Sequence, residues 1–310
     1  MRSFYVIIFS LLEMSATAQS LTDGLMMPKG SFCTGFMYMQ DQWKDYWEGG
    51  IRRENANIGT ITTQSLTYMG NYGITDRLNV IVMLPYVKTQ PSSGTLTGME
   101  GIQDLSLSAK YRFLAKDYTS SGLRFFAVGT FSTPASNYTP DYLPLSIGLG
   151  STNFTARLTG NYHLESGWYI NASGGYTMRS NVKLDRPSYY SDGQIYFTNE
   201  VNMYDSFDFT TMFGYYKNGI QAEAFYAQQN TLGGGDIRRQ DMPFVSNRMN
   251  SCKVGALLMY YLPAPKNLAV RASFSYTVDG RNVGQSTTFM GGLLYTLHFG
   301  SKNETIIPKP

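Results

Sequence analysis

Apolar and polar residues alternate with a period of two along most of this sequence. Residues 104–113 read DLSLSAKYRF, with apolar side chains at every second position and serines or charged side chains between them. Residues 267–278 repeat the pattern, and so do residues 292–299. Because successive side chains of a strand point to opposite faces, this alternation predicts β-strands with one apolar and one polar face.

Twelve segments carry the pattern, and each is long enough to cross a bilayer as a tilted strand. We predict them at residues 30–40, 58–73, 77–90, 102–114, 122–134, 147–163, 167–182, 203–216, 219–232, 250–262, 267–279 and 285–299. The pattern by itself leaves fourteen strands open as an alternative.

The connections between these segments alternate in length. Those after every second strand are short, at residues 74–76, 115–121, 164–166, 217–218 and 263–266. Apart from a short link around Gly280, the others are longer, at residues 41–57, 91–101, 135–146, 183–202 and 233–249. Outer-membrane barrels have short periplasmic turns and longer extracellular loops, whereas a soluble β-sandwich would not keep its long loops at one end. The predicted fold class is therefore all-β, a transmembrane antiparallel β-barrel of about twelve strands with both termini in the periplasm.

The composition agrees with a barrel in the bacterial outer membrane. Hydrophobic residues make up 43% of the chain, yet no run reaches the ~20 residues of a transmembrane helix. Charged residues make up 15%, well below the ~25% of an average soluble domain. Aromatic residues near the turn ends of the strands would form a girdle at the level of the lipid headgroups. They are Tyr68, Tyr72, Tyr111, Phe113, Trp168, Tyr215, Tyr260, Tyr295 and Phe299. A tyrosine-rich soluble core is the alternative interpretation.

Both ends of the chain differ from the predicted barrel. Residues 1–18 contain an early arginine, a short apolar core and a final Ala-x-Ala, which together are typical of a signal peptide. A periplasmic N-terminal segment at 19–29, the barrel at 30–299 and a periplasmic tail at 300–310 follow. The formal net charge of +3, without a basic block, argues against a nucleic-acid partner.

Cysteine and histidine are too few and too scattered for a metal site. Cys33 and Cys252 are expected near opposite ends of the barrel as free thiols, because a disulfide needs Cα atoms within ~7 Å. His163 and His298 lie at the turn ends of their strands, whereas an outer-membrane phospholipase, the enzymatic alternative, would need a Ser–His pair near the outer leaflet. We therefore expect no enzyme activity, no metal and no cofactor.

Two motifs resemble a known family. Residues 72–86 read YGITDRLNVIVMLPY, a strand, a Gly-hydrophobic-Thr-Asp-basic-Leu turn and a strand that ends in Leu-Pro-Tyr. Residues 101–113 follow with GIQDLSLSAKYRF. Both are similar to the outer-membrane proteins grouped as "meta-pathway of phenol degradation" transporter-like proteins. That resemblance implies a barrel in the outer membrane with a transport role, which in some members is the uptake of aromatic compounds.

A weaker resemblance connects the chain to the long-chain fatty-acid and toluene channels of the outer membrane. Those channels have fourteen strands and an N-terminal hatch inside the barrel. Residues 19–29 are too short for a full hatch, although residues 25–28 could tuck into the periplasmic mouth.

The polar faces of the predicted strands carry charges that should point into the lumen, because charge facing lipid is costly. The candidates for a lumenal charge network are Asp104, Lys110, Arg112, Arg157, Asp208, Glu223, Lys253 and Arg271, together with Arg124 and Arg179. Such a basic lumen could select anionic solutes such as aromatic carboxylates. Alternatively, the charges could pair with one another as a structural network across a narrow interior.

Apolar side chains are also expected inside the lumen. They are Ile81, Met83, Phe126, Val128, Leu257 and Met259. They could line a path for a hydrophobic solute or pack against an inward-folded segment. In the first long loop, Trp43, Tyr46 and Trp47 could form a capture surface or lid, or pack at the base of the loop or against the outer leaflet.

The predicted function is that of a monomeric outer-membrane channel for the passive passage of a small, aromatic or anionic hydrophobic solute. Its expected partners are outer-membrane lipid and the solute. An occluded structural or adhesive barrel that acts through its extracellular loops is the alternative.

Overall fold

The structure is a computed structural model that describes residues 20–239 and 241–299. The predicted signal peptide and C-terminal tail lie outside the described residues. Twelve long antiparallel strands form the body of this part of the chain. They are β1 (Ser31–Trp43), β2 (Ile61–Thr75), β3 (Leu78–Pro91), β4 (Asp104–Asp117), β5 (Ser121–Pro134), β6 (Asn153–Leu164), β7 (Trp168–Arg179), β8 (Ser206–Lys217), β9 (Ile220–Thr231), β10 (Asn250–Tyr261), β11 (Leu268–Arg281) and β12 (Thr287–His298). Within the same residues, no helix is long and apolar enough to span a membrane.

The strands close into a ring. Each long strand pairs with its neighbours in chain order, and β1 pairs with β12 as well as with β2. The register at the closure runs from Ser31 opposite His298 to Gln42 opposite Thr287. A closed ring has no unpaired strand edge, so the backbone N–H and C=O groups of the wall are satisfied in hydrocarbon. The predicted fold class is confirmed, with twelve barrel strands in the described residues.

The two faces of the wall have opposite character. On the outer face, large apolar side chains stay accessible, with 63% of Leu158 and 57% of Phe213 exposed. On the inner face, Asn71 and Asn79 are fully buried. A charged side chain on the lipid face costs about 2–4 kcal/mol at the bilayer midplane. The surrounding lipid therefore determines which face of each strand points outward.

Aromatic side chains surround the periplasmic end of the barrel. Trp168 stacks on Phe213 at a centroid distance of 5.1 Å and meets Tyr215 edge-on at 5.1 Å. Phe113 stacks on Phe125 at 6.1 Å. Amphipathic rings prefer the headgroup level, so these residues mark the inner interface of the membrane. A closed barrel with an apolar outer band and this girdle belongs in the bacterial outer membrane.

Short turns join the strands at the periplasmic end, and long loops join them at the other end except for the short link at residues 282–286. Asn218 and Gly219 alone connect β8 to β9, with φ of 55° and 75°. This left-handed backbone is what a two-residue hairpin turn requires, and Asn and Gly tolerate it best. The long extracellular loops lie at residues 44–60, 92–103, 135–152, 180–205 and 232–249.

Both thiols are free within the described part of the chain, as predicted. Cys33 is the third residue of β1 at the periplasmic end, and Cys252 is the third residue of β10 at the extracellular end. The two therefore lie at opposite ends of the wall.

Candidate functional site

Residues 20–30, which we call the floor segment, lie inside the periplasmic end of the lumen. Its Met27 has no accessible surface and packs into an apolar cluster on the inner wall. The other buried members of the cluster are Cys33, Met37, Met69, Leu257, Met259, Ala269 and Leu294. The residues immediately before β1 therefore occupy the periplasmic mouth of the barrel.

A buried ion pair joins the floor segment to the wall. Lys110 on β4 has no accessible surface, and its Nζ lies 2.8 Å from Asp23 Oδ1. Nζ also donates to the backbone carbonyls of Asp23 at 2.8 Å and Ser20 at 3.0 Å. It lies 5.1 Å from the centroid of the Phe126 ring. A lysine ammonium has three donors, and the floor segment supplies an acceptor for each.

The floor segment fits closely against β6 and β7. Gly24 lies so near Asn161 that a Cβ at this position would overlap the amide side chain. Asn161 in turn donates to Asn171 Oδ1 at 2.6 Å and is hydrogen-bonded to His163 at 3.0 Å. A void of about 10 Å³ remains beside Asp23, which is near the lower limit of roughly 10–15 Å³ for one water molecule. The gap between the floor segment and these two strands is therefore too small for an organic solute.

At the extracellular end, residues 135–152 fold into the mouth of the barrel, and we call them the inner loop. Thr89 Oγ1 donates to the carbonyl of Leu145 at 2.6 Å. Leu145 is fully buried and packs with Ile58 and Ile61. Two further residues of the inner loop, Leu143 and Leu149, pack against a second cluster built by loops 180–205 and 232–249. Its members are Val182, Leu184, Tyr189, Val201, Met203, Phe244 and Val245.

A cavity of about 700 Å³, the central cavity, lies between the floor segment and the inner loop. Thr22 contributes to its lining from the floor segment, and Leu143 and Ile147 contribute from the inner loop. Its charged lining residues all come from the barrel strands. They are Asp104, Arg157, Arg179, Asp208 and Lys253. The volume falls in the range of about 300–1,000 Å³ that is usual for small-molecule sites.

Two of the cavity charges neutralise each other. Arg157 Nη1 lies 2.6 Å from Asp208 Oδ2, and Nη2 lies 2.8 Å from Oδ1. This two-pronged contact matches the planar guanidinium to the carboxylate. The pair adds polarity to the cavity but no net charge.

The other three cavity charges form no ion pair among the described residues. Asp104 Oδ1 accepts a hydrogen bond from the Tyr138 hydroxyl at 2.6 Å. Burial, and then the Asp104 carboxylate, raises the pKa of Tyr138, so this phenol stays a donor. Arg179 Nη2 donates to Ser206 Oγ at 3.1 Å. Lys253 lines the cavity without an ion pair in this part of the chain.

The remaining candidate charges also face inward, outside the central cavity. Glu223 accepts from the Tyr169 hydroxyl and from Gln221 Nε2. Arg112 lies at the periplasmic end of β4, where its Nη2 donates to the carbonyl of Asp76 at 3.0 Å. The Nε atom of Arg271 has no hydrogen-bond partner among the described residues. The inner charges therefore form separate small groups, and their role in selectivity stays a prediction.

The apolar lumenal candidates lie on the inner face as well. Leu257 and Met259 belong to the cluster around Met27, and Met83 packs against it. Phe126 lies beneath the Lys110 ammonium. The last two, Ile81 and Val128, are buried. The residues around Met27 hold the floor segment, whereas a solute path along them stays a prediction.

The three aromatic candidates of the predicted first loop pack against the link between β11 and β12, although the structure places Trp43 at the end of β1 and not in the loop. The backbone N–H of Trp47 donates to Val283 O at 2.9 Å, and Tyr46 forms a β-bridge with Gly284. Trp43 lies against Gly284. Trp47 is buried, so its ring helps to fix the loop to the barrel rim. A role in solute capture stays a prediction.

Sequence reasoning missed two residues of the site. Asp23 lies in a short segment without periodicity, where only the apolar residues 25–28 hinted at an inward position. Tyr138 lies in a loop, where no pattern indicates which residues fold into the lumen. The described residues contain no group of three or more His, Cys, Asp or Glu side chains that could hold a metal ion.

Several solved structures align with most of this chain. The COG4313 outer membrane channel from Pseudomonas putida F1 aligns with a TM-score of 0.66 at 15% identity, over 87% of this chain and 97% of that chain. The β domain of the Bordetella autotransporter BrkA aligns with a TM-score of 0.45 at 15% identity, over 86% and 99%. The KdgM porin aligns with a TM-score of 0.43 at 9% identity, over 85% and 99%. At 15% identity, the likeness to the COG4313 channel shows the fold alone.

Comparison at the level of sequence is more specific. No curated protein matches this chain. A family model does match, over residues 56–291. The match begins in the loop before β2 and ends within β12, so it covers most of the barrel wall. The chain therefore belongs to the family described as "Putative MetA-pathway of phenol degradation".

Proposed function

We propose that this protein is a channel through which a small amphipathic organic anion, such as an aromatic carboxylate, crosses the outer membrane by passive diffusion. The observation that carries the proposal is the central cavity. It has the size of a small-molecule site, its unpaired charges are two cations and one anion, and the inner loop gives it an apolar wall. An excess of positive charge in a lumen favours anions, and an apolar wall favours a hydrophobic body.

Passage through this channel requires the floor segment to move. The segment is held by the Lys110–Asp23 ion pair and by the burial of Met27, and both contacts are non-covalent. We therefore propose that a solute binds in the central cavity and passes to the periplasm when the floor segment undocks. The same proposal takes the barrel to be a monomer in contact with outer-membrane lipid, and none of its steps needs catalysis.

Liposome swelling tests the channel. Proteoliposomes are diluted into benzoate or into arabinose, an uncharged sugar of similar size. We expect benzoate to enter faster, because the cavity carries net positive charge. Lys253→Gln should lower the benzoate rate without changing the arabinose rate, whereas Lys183→Gln, which removes an exposed lysine of loop 180–205, should change neither. Equal rates for both solutes in the unaltered protein would contradict anion preference.

The occluded structural or adhesive barrel is the second candidate. The floor segment favours it, since its contact with β6 and β7 leaves no room for a solute. Single-channel recording of the unaltered protein and of a variant without residues 20–28 separates the two functions. Current that appears or grows on deletion supports a channel. Absence of current in both forms supports a sealed barrel that acts through its loops.

A further inference from the structure

The unpaired charges of the central cavity lie on opposite walls. Asp104 is on β4 and Lys253 is on β10, six strands away in a ring of twelve, so the two strands face each other across the lumen. Arg179 is on β7, three strands from each. One side of the cavity therefore presents a carboxylate, the opposite side presents an ammonium, and a guanidinium lies midway between them around the ring.

These three groups have hydrogen-bonding capacity to spare. Asp104 has one of its two carboxylate oxygens engaged, by the Tyr138 hydroxyl. Lys253 makes no ion pair in the described part of the chain. The Arg179 guanidinium donates one hydrogen bond, to the Ser206 hydroxyl. Charged groups taken out of bulk water are costly unless they are paired and hydrogen-bonded. A ligand that satisfies both walls at once would therefore be favoured.

The charge balance limits the chemistry of such a ligand. Arg157 and Asp208 cancel each other, which leaves two positive charges and one negative charge on the walls. A ligand with one negative charge brings the cavity to neutrality, whereas a zwitterion leaves it positive. The group that meets Asp104 should therefore be an uncharged donor, and the group that meets Lys253 should be an anion.

We propose that the central cavity binds a small hydroxylated carboxylic acid in a fixed orientation, with its carboxylate at Lys253 and its hydroxyl donating to Asp104. The apolar body lies against Leu143 and Ile147 of the inner loop. This inference rests on the proposed function, because it specifies the solute class of the same cavity. It makes Asp104 and Lys253 the residues that determine specificity.

Binding to the purified full barrel in detergent tests the orientation. The probes are 4-hydroxybenzoate, benzoate and phenol, each followed by titration calorimetry. We expect 4-hydroxybenzoate to bind at least about tenfold more tightly than benzoate, since a hydrogen bond to a charged acceptor is stronger than one between neutral groups. Phenol, which lacks the carboxylate, should bind most weakly.

Three variants assign the two ends of the ligand. Asp104→Asn should bring 4-hydroxybenzoate and benzoate to the same affinity. Lys253→Gln should weaken both acids and leave phenol unchanged. Tyr138→Phe keeps the Asp104 carboxylate while removing its neighbour, so the preference for the hydroxyl should persist. Lys183→Gln serves as the control outside the cavity.

Several results would overturn the inference. One is equal binding of the two acids by the unaltered protein, and another is an affinity ratio that Asp104→Asn does not change. Tighter binding of 4-(aminomethyl)benzoate than of 4-hydroxybenzoate would show that the cavity prefers a zwitterion to a hydroxylated acid. Binding that follows the expected order, without swelling or current, would retain this cavity chemistry and reject the channel.

Discussion

Replacement of Lys110 by methionine should release the floor segment without unfolding the barrel. The substitution keeps an unbranched side chain in the wall and removes the ammonium that neutralises Asp23, whose side chain is 6% exposed. Removing one partner of a buried ion pair costs about 3–5 kcal/mol, because the other charge is left uncompensated. The floor segment avoids that cost when it undocks and Asp23 enters water. At about 1.4 kcal/mol for each factor of ten, the balance between docked and undocked segment should shift by roughly 10²- to 10³-fold.

Cys33 reports the position of the segment. Its thiol is 1% exposed in the cluster that contains Met27, so a maleimide can reach it only after the segment moves. In a Cys252→Ser background, Lys110→Met should raise the labelling rate of Cys33 by roughly 10²- to 10³-fold. Single-channel conductance should rise in parallel. Lys116→Met, which removes an exposed lysine from the periplasmic end of the same strand, should change neither quantity.

Labelling and conductance that stay at the level of the unaltered protein would refute the idea that this ion pair holds the segment. A double variant provides a second check on the cause. Lys110→Met combined with Asp23→Leu removes both charges, and apolar replacement of a buried pair is often neutral or stabilising. Protection of Cys33 should therefore return.

Three further predictions concern the wall and the extracellular loops. Leu158→Arg puts a charge on the lipid face at the middle of β6 and should lower the free energy of unfolding by about 2–4 kcal/mol in a denaturant titration in vesicles; no loss would contradict the assigned faces. Hydrogen bonds from Arg281 and then Asn282 hold the pKa of Asp236 below its usual value. The contacts of the Asp236 carboxylate therefore stabilise loop 232–249 at any pH above the pKa that Asp236 has in the unfolded chain. This stabilisation is lost as the pH falls through the lower pKa of the folded state. Proteolysis of that loop should therefore accelerate at acid pH, and Asp236→Asn should remove the pH dependence. Leu145→Asn buries an unsatisfied amide where Leu145 packs with Ile58 and should speed proteolysis of the inner loop while the barrel stays resistant; an unchanged rate would show that this packing does not hold the loop.

The barrel was predictable from the sequence because the bilayer acts on every strand in the same way. In the segment around Leu107 and Lys110, alternation alone identified which side chains face lipid and which face the lumen. The outward position of Leu107, the inward position of Lys110 and the twelve-strand count are all seen in the structure. Each is a local consequence of strand geometry in hydrocarbon, so no knowledge of distant contacts was needed.

The contents of the lumen were decided only by the tertiary structure. Alternation predicts that Lys110 faces inward. Its partner Asp23, however, lies 87 residues away in a segment without apolar–polar alternation. Likewise, Asp104 and Lys253 face each other only because the ring closes with β4 and β10 on opposite sides. Strand periodicity specifies a face, whereas pairing across the lumen depends on closure and on how far the floor segment and the inner loop enter. The sequence by itself therefore determined a wall that excludes charge from lipid, and the three-dimensional fold determined which charges meet inside it.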